Sequence, residues 1–285
     1  ILAPLCVGLM TLALAFGNAI MLKIAQFVVY PLIVALAAVS LYLIPQWDLG
    51  SFMEAGDHTA GGVIKAIILI LPVLVFSFSF VAAISQFSLG MEKEYGADHH
   101  AQSDKVIRNS AILLTVFTMF FVWSCALAMG ADGMQEANDK NLPVLSYFAN
   151  ETGTPFMAYM APIVVICAVA SSYFGHALGT IEGTQYLFNL AAPKSTKKMS
   201  ARTLDLWTYL FIFIATSLVG IFNPSILDMI SVVGGVFFAF MTYLLPIWVI
   251  YRVDALARFR GKKTNYFVAV MGFIVLFATI WGMFQ

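Results

Sequence analysis

Charged residues are scarce in this chain. Asp, Glu, Lys and Arg together make up 11% of its 285 residues, against about 25% in soluble domains. Hydrophobic residues make up 61%, and the mean hydropathy is +0.90. This composition excludes an ordinary soluble domain and indicates a membrane protein. The formal net charge is zero, so the positions of the charges carry the information, and we expect no nucleic-acid partner.

Cysteine is also rare, with three residues: Cys6, Cys125 and Cys167. All three lie inside apolar runs and show no CxxC spacing. This pattern indicates small buried hydrophobic residues rather than disulfides or thiolate metal ligands. We therefore expect no cofactor.

A signal peptide is missing as well. The run from Ile1 to Phe16 has no charged start and no cleavage pattern. At about 1.5 Å per residue, 16 residues fall short of the roughly 30 Å of a bilayer core. The chain is thus expected to begin inside a helix, as a C-terminal fragment of a longer protein would.

Eight long apolar segments predict an all-α polytopic membrane protein with one transmembrane domain over 1–285. The second segment ends at Ile44-Pro45-Gln46-Trp47. We predict helices over about 1–16, 20–44, 63–89, 108–130, 157–180, 204–222, 227–250 and 265–284.

Basic residues alternate between the connections. Of the 15 Lys and Arg residues, 13 fall in every second connection. The remaining connections hold Lys65 and Lys140 among the acidic residues Asp48, Glu54, Asp57, Asp132, Glu136, Asp139 and Glu151. The positive-inside rule places the basic loops in the cytoplasm and the acidic loops outside. Both chain ends then lie outside.

The third predicted helix has the most unusual sequence. Pro72 interrupts it, and Phe76-Ser77-Phe78-Ser79-Phe80 follows with an alternation typical of extended backbone. Unwound backbone at this depth must line a cavity or be buried in protein, and transporters use such breaks to bind substrates. The alternative is a kinked but continuous helix whose Ser hydroxyls bond the preceding turn.

The fifth predicted helix carries candidate cation ligands. Ala168, Ser171 and Ser172 offer one carbonyl and two hydroxyl oxygens, which suit a small alkali cation. Close packing of small residues is the alternative. His176 and Glu182 are candidate proton relays, although a neutral, hydrogen-bonded histidine and an interfacial glutamate are the more common interpretations of such residues.

Two other features have plain structural interpretations. Lys23 stands at the start of the second helix, where it can snorkel to the interface or take part in proton coupling. Gly234-Gly235 allows close approach, most simply of a neighbouring helix.

The chain resembles the bacterial hydroxy/aromatic amino acid permeases, within the amino acid/polyamine/organocation superfamily, and most closely the serine/threonine symporter branch. The matching stretches run in a consistent order along the chain: Tyr42-Leu43-Ile44-Pro45-Gln46-Trp47, Val75-Phe76-Ser77-Phe78, Glu94-Tyr95-Gly96, Leu145-Ser146-Tyr147, Ala149-Asn150, Met160-Ala161-Pro162-Ile163, Gly175-His176, Leu178-Gly179, Glu182-Gly183, Asn223-Pro224-Ser225-Ile226-Leu227 and Met229-Ile230.

This resemblance implies a LeuT-type inverted-repeat fold in which the eight predicted helices are helices 4–11. It implies ion-coupled symport of a small neutral amino acid, serine or threonine first, across the bacterial inner membrane, in contact with lipid. Phe76, Ser77, Phe78 and Ser79 would bind the substrate. Ala168, Ser171 and Ser172 match the spacing of a LeuT-type sodium site, so the coupling cation would be Na⁺, with H⁺ as the alternative.

The chain also departs from the resemblance. After Phe76-Ser77-Phe78 it continues with Ser79, Phe80, Val81 and Ala82, where serine permeases carry Asn, His, Ser and Pro, so the pocket is expected to be more apolar. Three other functions stay open: an aromatic amino acid permease, a channel or sensor, and an intramembrane hydrolase that uses Ser172 and His176. The sequence carries no signal for an oligomeric state.

Overall fold

The computed structural model describes residues 2–16, 18–53, 59–151, 154–193 and 199–283, and these are helical throughout apart from turns and short connections. In the first half, α1 covers Leu2–Leu14, α2 Asn18–Leu43, α3 Leu49–Met53, α4 Ala60–Ser77, α5 Val81–Tyr95 and α6 His99–Asp139. A 3₁₀ turn, Ile44–Gln46, follows α2 and begins where the sequence predicts a stop, since Pro45 cannot continue the helix.

In the second half, α7 covers Val144–Glu151, α8 Pro155–Ala191, α9 Ala201–Phe222, α10 Ile226–Val232, α11 Leu245–Arg252 and α12 Lys263–Gly282. Two π-helical stretches, Val233–Phe238 and Phe240–Leu244, join α10 to α11. The described residues thus confirm an all-α fold.

Seven described helical segments are long and apolar enough to cross a membrane, where the sequence predicts eight. The segment that does not reach this length is the first, because α1 has 13 residues. Several predicted features lie outside the described residues: positions 1 and 284 at the outermost helix ends, and the loop charges Glu54, Asp57, Lys194, Lys197 and Lys198.

Two helices run well beyond their predicted bounds. The helix expected over 108–130 covers His99–Asp139, with a kink at Gly130, whose φ of 65° and ψ of −176° are not helical. The helix expected over 157–180 covers Pro155–Ala191, about 55 Å at 1.5 Å per residue. The added stretches, 99–107 and 181–191, are more polar than the apolar core, so hydropathy alone does not include them in the helices. The predicted end at 130 coincides with the kink at Gly130.

The described residues form two compact units: unit 1 comprises 1–54 and 82–223, and unit 2 comprises 55–81 and 224–285. In unit 1, α2 packs along α8, and side chains from α2, α6, α7 and α8 form the larger core. Its fully buried members include Val39, Leu43 and Met157. A second core joins Leu14 of α1 to Phe174 and Ala177 of α8.

Unit 2 consists of α4, the segment from α10 to α11, and α12. Its core contains Val75, Ala239 and Val275. Glycines make the closest contacts. A Cβ on Gly234 would overlap the carbonyl oxygen of Pro72, and a Cβ on Gly235 would overlap the side chain of Thr279. The structure therefore explains Gly234-Gly235 as a helix contact, the plainer of the two interpretations.

Candidate functional site

The third predicted membrane helix is broken. α4 ends at Ser77, α5 begins at Val81, and Phe78, Ser79 and Phe80 between them are not helical. The break does not fall at Pro72, which lies buried within α4, but six residues later in the alternating Phe/Ser stretch. Of the two alternatives that the sequence left open, the structure shows the unwound backbone.

The four predicted substrate residues lie at this break but differ in their surroundings. Ser77 Oγ is exposed and donates a hydrogen bond to the carbonyl oxygen of Val73 at 2.8 Å. Ser79 Oγ is buried and has no hydrogen-bond partner among the described residues. The ring of Phe76 packs edge-on against Phe238, with 5.4 Å between centroids, and Phe78 is half-buried. The hydroxyl that is open for a ligand is therefore that of Ser79.

The candidate cation ligands sit on a continuous helix in unit 1. Ser171 Oγ lies 3.1 Å from the carbonyl oxygen of Ala168 and donates to it, so these two oxygens are neighbours. Ser172 is exposed. No three Asp, Glu, His or Cys side chains gather at a possible metal site within the described part of the chain. A cation bound here would thus rely on neutral oxygens, and rotating the Ser171 proton away would free both atoms to bind it.

The three candidate proton relays are exposed residues of unit 1. His176 Nδ1 lies 2.8 Å from the carbonyl oxygen of Ser172, and His176 O accepts a hydrogen bond from Thr180. Glu182 follows on the exposed part of α8, and Lys23 lies near the start of α2. The His176 ring is thus held against the backbone of the preceding turn.

Sequence reasoning missed the π-helical stretches, 233–238 and 240–244, where a continuous helix is predicted. Thr242 lies in the second stretch, and its Oγ1 is buried with no hydrogen-bond partner among the described residues. The one sequence signal nearby is Gly234-Gly235, because glycine lowers the stability of a regular helix.

A helical hairpin after Gly130 was also missed. Two residues link the last turns of α6 to the short α7. The Tyr147 hydroxyl donates a hydrogen bond to Glu136 at 2.7 Å. The Lys140 ammonium donates to Glu136 and lies 3.7 Å from the Glu151 carboxylate. The hydrogen bond to Glu136 raises the pKa of Lys140 and the pKa of Tyr147. Leu145 and Phe148 bury the other face of α7 in the unit 1 core.

Comparison with known proteins identifies the family of this chain. Residues 9–285 match the model of the family described as transmembrane amino acid transporter protein. The chain belongs to this family. The resemblance stated above is confirmed, and since the family is one of transporters, an intramembrane hydrolase is excluded.

Two relatives show the similarity. The serine transporter SdaC of Escherichia coli (strain K12) is 34% identical over 285 residues, which are 99% of this chain and 66% of SdaC. The threonine/serine transporter TdcC of Yersinia enterocolitica is 34% identical over 311 residues, covering 99% of this chain and 70% of TdcC. The chain therefore spans just under two thirds of the SdaC length. No solved structure matches it.

Proposed function

We propose that this transporter is an ion-coupled symporter that carries a small neutral amino acid, serine or threonine first, into the cytoplasm by alternating access. The observation that carries the proposal is the helix break at Phe78–Phe80, where the buried Ser79 hydroxyl has no hydrogen-bond partner in the described part of the chain. The names of the relatives, serine and threonine/serine transporters, support the same substrate class.

The chemistry of a broken helix suits a free amino acid. The amide of Val81, the first of α5 and the last residue of this part of unit 2, lacks a partner within its own helix and lies at the positive end of the helix dipole, which favours a carboxylate. The last carbonyls of α4, up to Ser77, carry the negative end, which favours an ammonium group. A zwitterion fits this polarity, and discontinuous helices serve the same purpose in other transporters.

We further propose a LeuT-type inverted-repeat fold, in which the eight predicted helices take positions 4–11. The basic loops would face the cytoplasm of a bacterium, with the protein in its inner membrane and its C-terminus in the periplasm. The support is the alternation of Lys and Arg between the loops. The orientation is tested by labelling single cysteine variants with a thiol reagent that cannot cross the membrane. From outside, Asn141→Cys, in an acidic loop, should be labelled, and Gly261→Cys, in a basic loop, should not.

The coupling cation proposed is Na⁺, bound by Ala168 O and the hydroxyls of Ser171 and Ser172. The 3.1 Å approach of Ser171 Oγ to Ala168 O supports a pair of neutral oxygen ligands. If H⁺ is the coupling ion instead, its carriers would be sought among His176, Glu182 and Lys23.

The deciding experiment measures uptake of L-serine by the protein, expressed from its complete reading frame, in proteoliposomes with either a sodium gradient or a pH gradient. Concentrative uptake driven by sodium is expected. Ser171→Ala and Ser172→Ala should abolish the sodium dependence, while Ser40→Ala should keep it. Ser40 is the matched control because its hydroxyl also bonds its own helix, at the Leu36 carbonyl oxygen.

Other outcomes would redirect the proposal. Uptake driven only by pH would remove the Ser171/Ser172 site and keep the symporter. Uptake that never exceeds equilibrium would indicate a channel, and binding without flux a sensor. Tryptophan and tyrosine as the best substrates would indicate an aromatic amino acid permease, which the phenylalanines at the break would suit.

A further inference from the structure

Two buried hydroxyls of unit 2 lack hydrogen-bond partners among the described residues: Ser79 Oγ and Thr242 Oγ1. Nearly all buried polar groups in folded proteins are hydrogen-bonded, because an unpaired one costs free energy. By contrast, the hydroxyls of Ser77 and Thr279 donate to carbonyls of their own helices. Those of Thr59 and Ser225 accept hydrogen bonds from the backbone N–H groups of Gly62 and Asp228. Ser79 and Thr242 thus each have hydrogen-bonding capacity for a ligand.

The packing of unit 2 brings these two residues to the same end of one helix contact. α4 and the segment 226–244 run in the same direction: Gly234 meets Pro72 and Phe76, and Phe238 meets Phe76 one turn further on. Ser79 follows Phe76 by three residues, and Thr242 follows Phe238 by four. Both residues therefore come after the Phe76–Phe238 ring pair along their segments, on the side of the helix break.

The π-helical backbone gives Thr242 this position. A π-helix is rare and usually occupies a single turn at a functional site, whereas here two stretches of six and five residues are separated only by Ala239. Each π turn holds more residues than an α turn and so rotates every later side chain about the helix axis. A regular α-helix through 233–244 would point residue 242 in another direction.

We propose that Thr242 is a specificity-determining residue of the substrate site, which with Ser79 binds the side-chain hydroxyl of a hydroxy amino acid. This inference rests on the proposed function. Two hydroxyl groups suit that ligand because each can donate or accept, as the substrate hydroxyl itself can. A site built in this way rejects analogues that lack the hydroxyl, since they leave both protein hydroxyls unpaired.

The first test leaves the protein unchanged. Proteoliposomes containing it are given L-serine, L-alanine and L-2-aminobutyrate, in which a methyl group replaces the serine hydroxyl. We expect the half-saturating concentration to be at least about tenfold lower for serine than for either analogue. Equal affinity for serine and 2-aminobutyrate would overturn the inference while leaving amino acid transport intact. Absence of uptake for all three would overturn the proposed function itself.

The second test uses variants that remove one hydroxyl with little change in shape. Thr242→Val and Ser79→Ala should each weaken serine uptake by about three- to tenfold and change alanine uptake less than twofold. Thr242→Ser should retain the preference for serine. An equal loss for serine and alanine, or no loss for either, would assign Thr242 a structural role.

Two control variants come from unit 1. Ser217→Ala removes another buried hydroxyl without a recorded partner, and Thr208→Val removes one that bonds the Leu204 carbonyl oxygen. Neither should change the ratio of serine to alanine affinity. A shift of that ratio in the controls as large as in Thr242→Val would contradict the assignment.

Discussion

The two compact units bring their helices together by different means. In unit 1, interlocking apolar side chains such as Val39, Leu43 and Met157 fill the space between α2, α6, α7 and α8. In unit 2, glycines let backbones approach, as Gly234 does against Pro72. Lipid is as apolar as a protein core, so close van der Waals packing drives helix association in a membrane, and either kind of interface supplies it.

The units also differ in how regular their helices are. Within the described residues, α2 and α8 of unit 1 continue through Pro31 and Pro162 without a break, and the one non-helical residue inside a long helix of this unit is Gly130 in α6. Unit 2 has the unwound end of α4 and the π-helical stretches. Departures from regular geometry cost free energy and persist only where the surroundings fix them, which is typical of functional sites. These departures support the proposal that the substrate binds in unit 2.

The largest effect is expected for Gly234→Ala. The new Cβ would overlap the Pro72 carbonyl oxygen, and backbone cannot move aside as a side chain does. We expect a loss of about 3 kcal/mol of unfolding free energy, at the upper end for overpacking, measured by thermal unfolding in detergent. Gly61→Ala, in the same unit with open space around the new Cβ, is the control. Equal stability of the two variants would remove the proposed difference between the units.

Gly130→Ala tests a position in unit 1 whose backbone conformation requires glycine. A φ of 65° with a ψ of −176° is a conformation that is essentially confined to glycine, and the new Cβ would lie 2.6 Å from Ser51 Oγ. We expect a loss of about 2 kcal/mol in the same unfolding assay. Adding Ser51→Ala removes the overlapping hydroxyl and leaves the strained backbone of residue 130, so the double variant should stay destabilised. Full recovery would show that the overlap, rather than the backbone, sets the cost.

Leu43→Ala and Leu43→Met sharpen the description of unit 1 as a side-chain core. Leu43 is fully buried, so truncation to Ala should leave a cavity and cost about 2 kcal/mol, the low end for this change. The low end is expected because lipid chains also solvate Leu in the unfolded protein. The volume-conserving Met variant should cost less than about 1 kcal/mol. Similar losses of unfolding free energy in both variants would mean that this core tolerates changes of side-chain shape no better than the glycine contacts do.

The smallest effect is expected at the exposed hairpin. Tyr147→Phe removes the hydrogen bond to Glu136 but keeps the ring. Limited proteolysis at the turn around Asn141 should speed up by about two- to threefold, since exposed polar links contribute little. Tyr266→Phe, an exposed tyrosine on α12, is the control. A tenfold increase would show that this link holds the hairpin in place.

The pH dependence of that hairpin follows from Lys140 and Tyr147. Both pKa values are raised in the folded protein by the bond to Glu136. From neutral pH upward, the stabilisation is therefore complete up to their unfolded values, near pH 10, and is lost as pH rises further. Above that pH, the proteolysis rate of the wild-type hairpin should become equal to that of the Tyr147→Phe hairpin. A difference that persists there would assign the effect of Tyr147 to packing.

Sequence reasoning named the helix break as one of two alternatives, because its signal is local: Phe76 to Phe80 alternates with a period that no helix has. It also named Ser79 as a substrate residue, a role that stays a prediction although the structure gives its hydroxyl no partner within the described residues. It did not find Thr242, since a single threonine in an apolar segment forms no sequence motif that would indicate a binding site. The π-helical stretches around it pack against α4 and α12, and such contacts between separate helices cannot be read from the sequence of one segment.

The sequence by itself determined that this is an all-α membrane protein, where most of its long helices lie, and its relation to serine and threonine/serine transporters. These properties depend on hydropathy and local motifs, which one segment expresses alone. Only the tertiary structure decided where backbone departs from helix at Gly130 and 233–244, and which hydroxyls have partners. The backbone geometry and the hydroxyl partners both depend on which atoms surround a residue after the helices pack. Gly234 lies against Pro72, and Ser79 has no hydrogen-bond partner among the described residues.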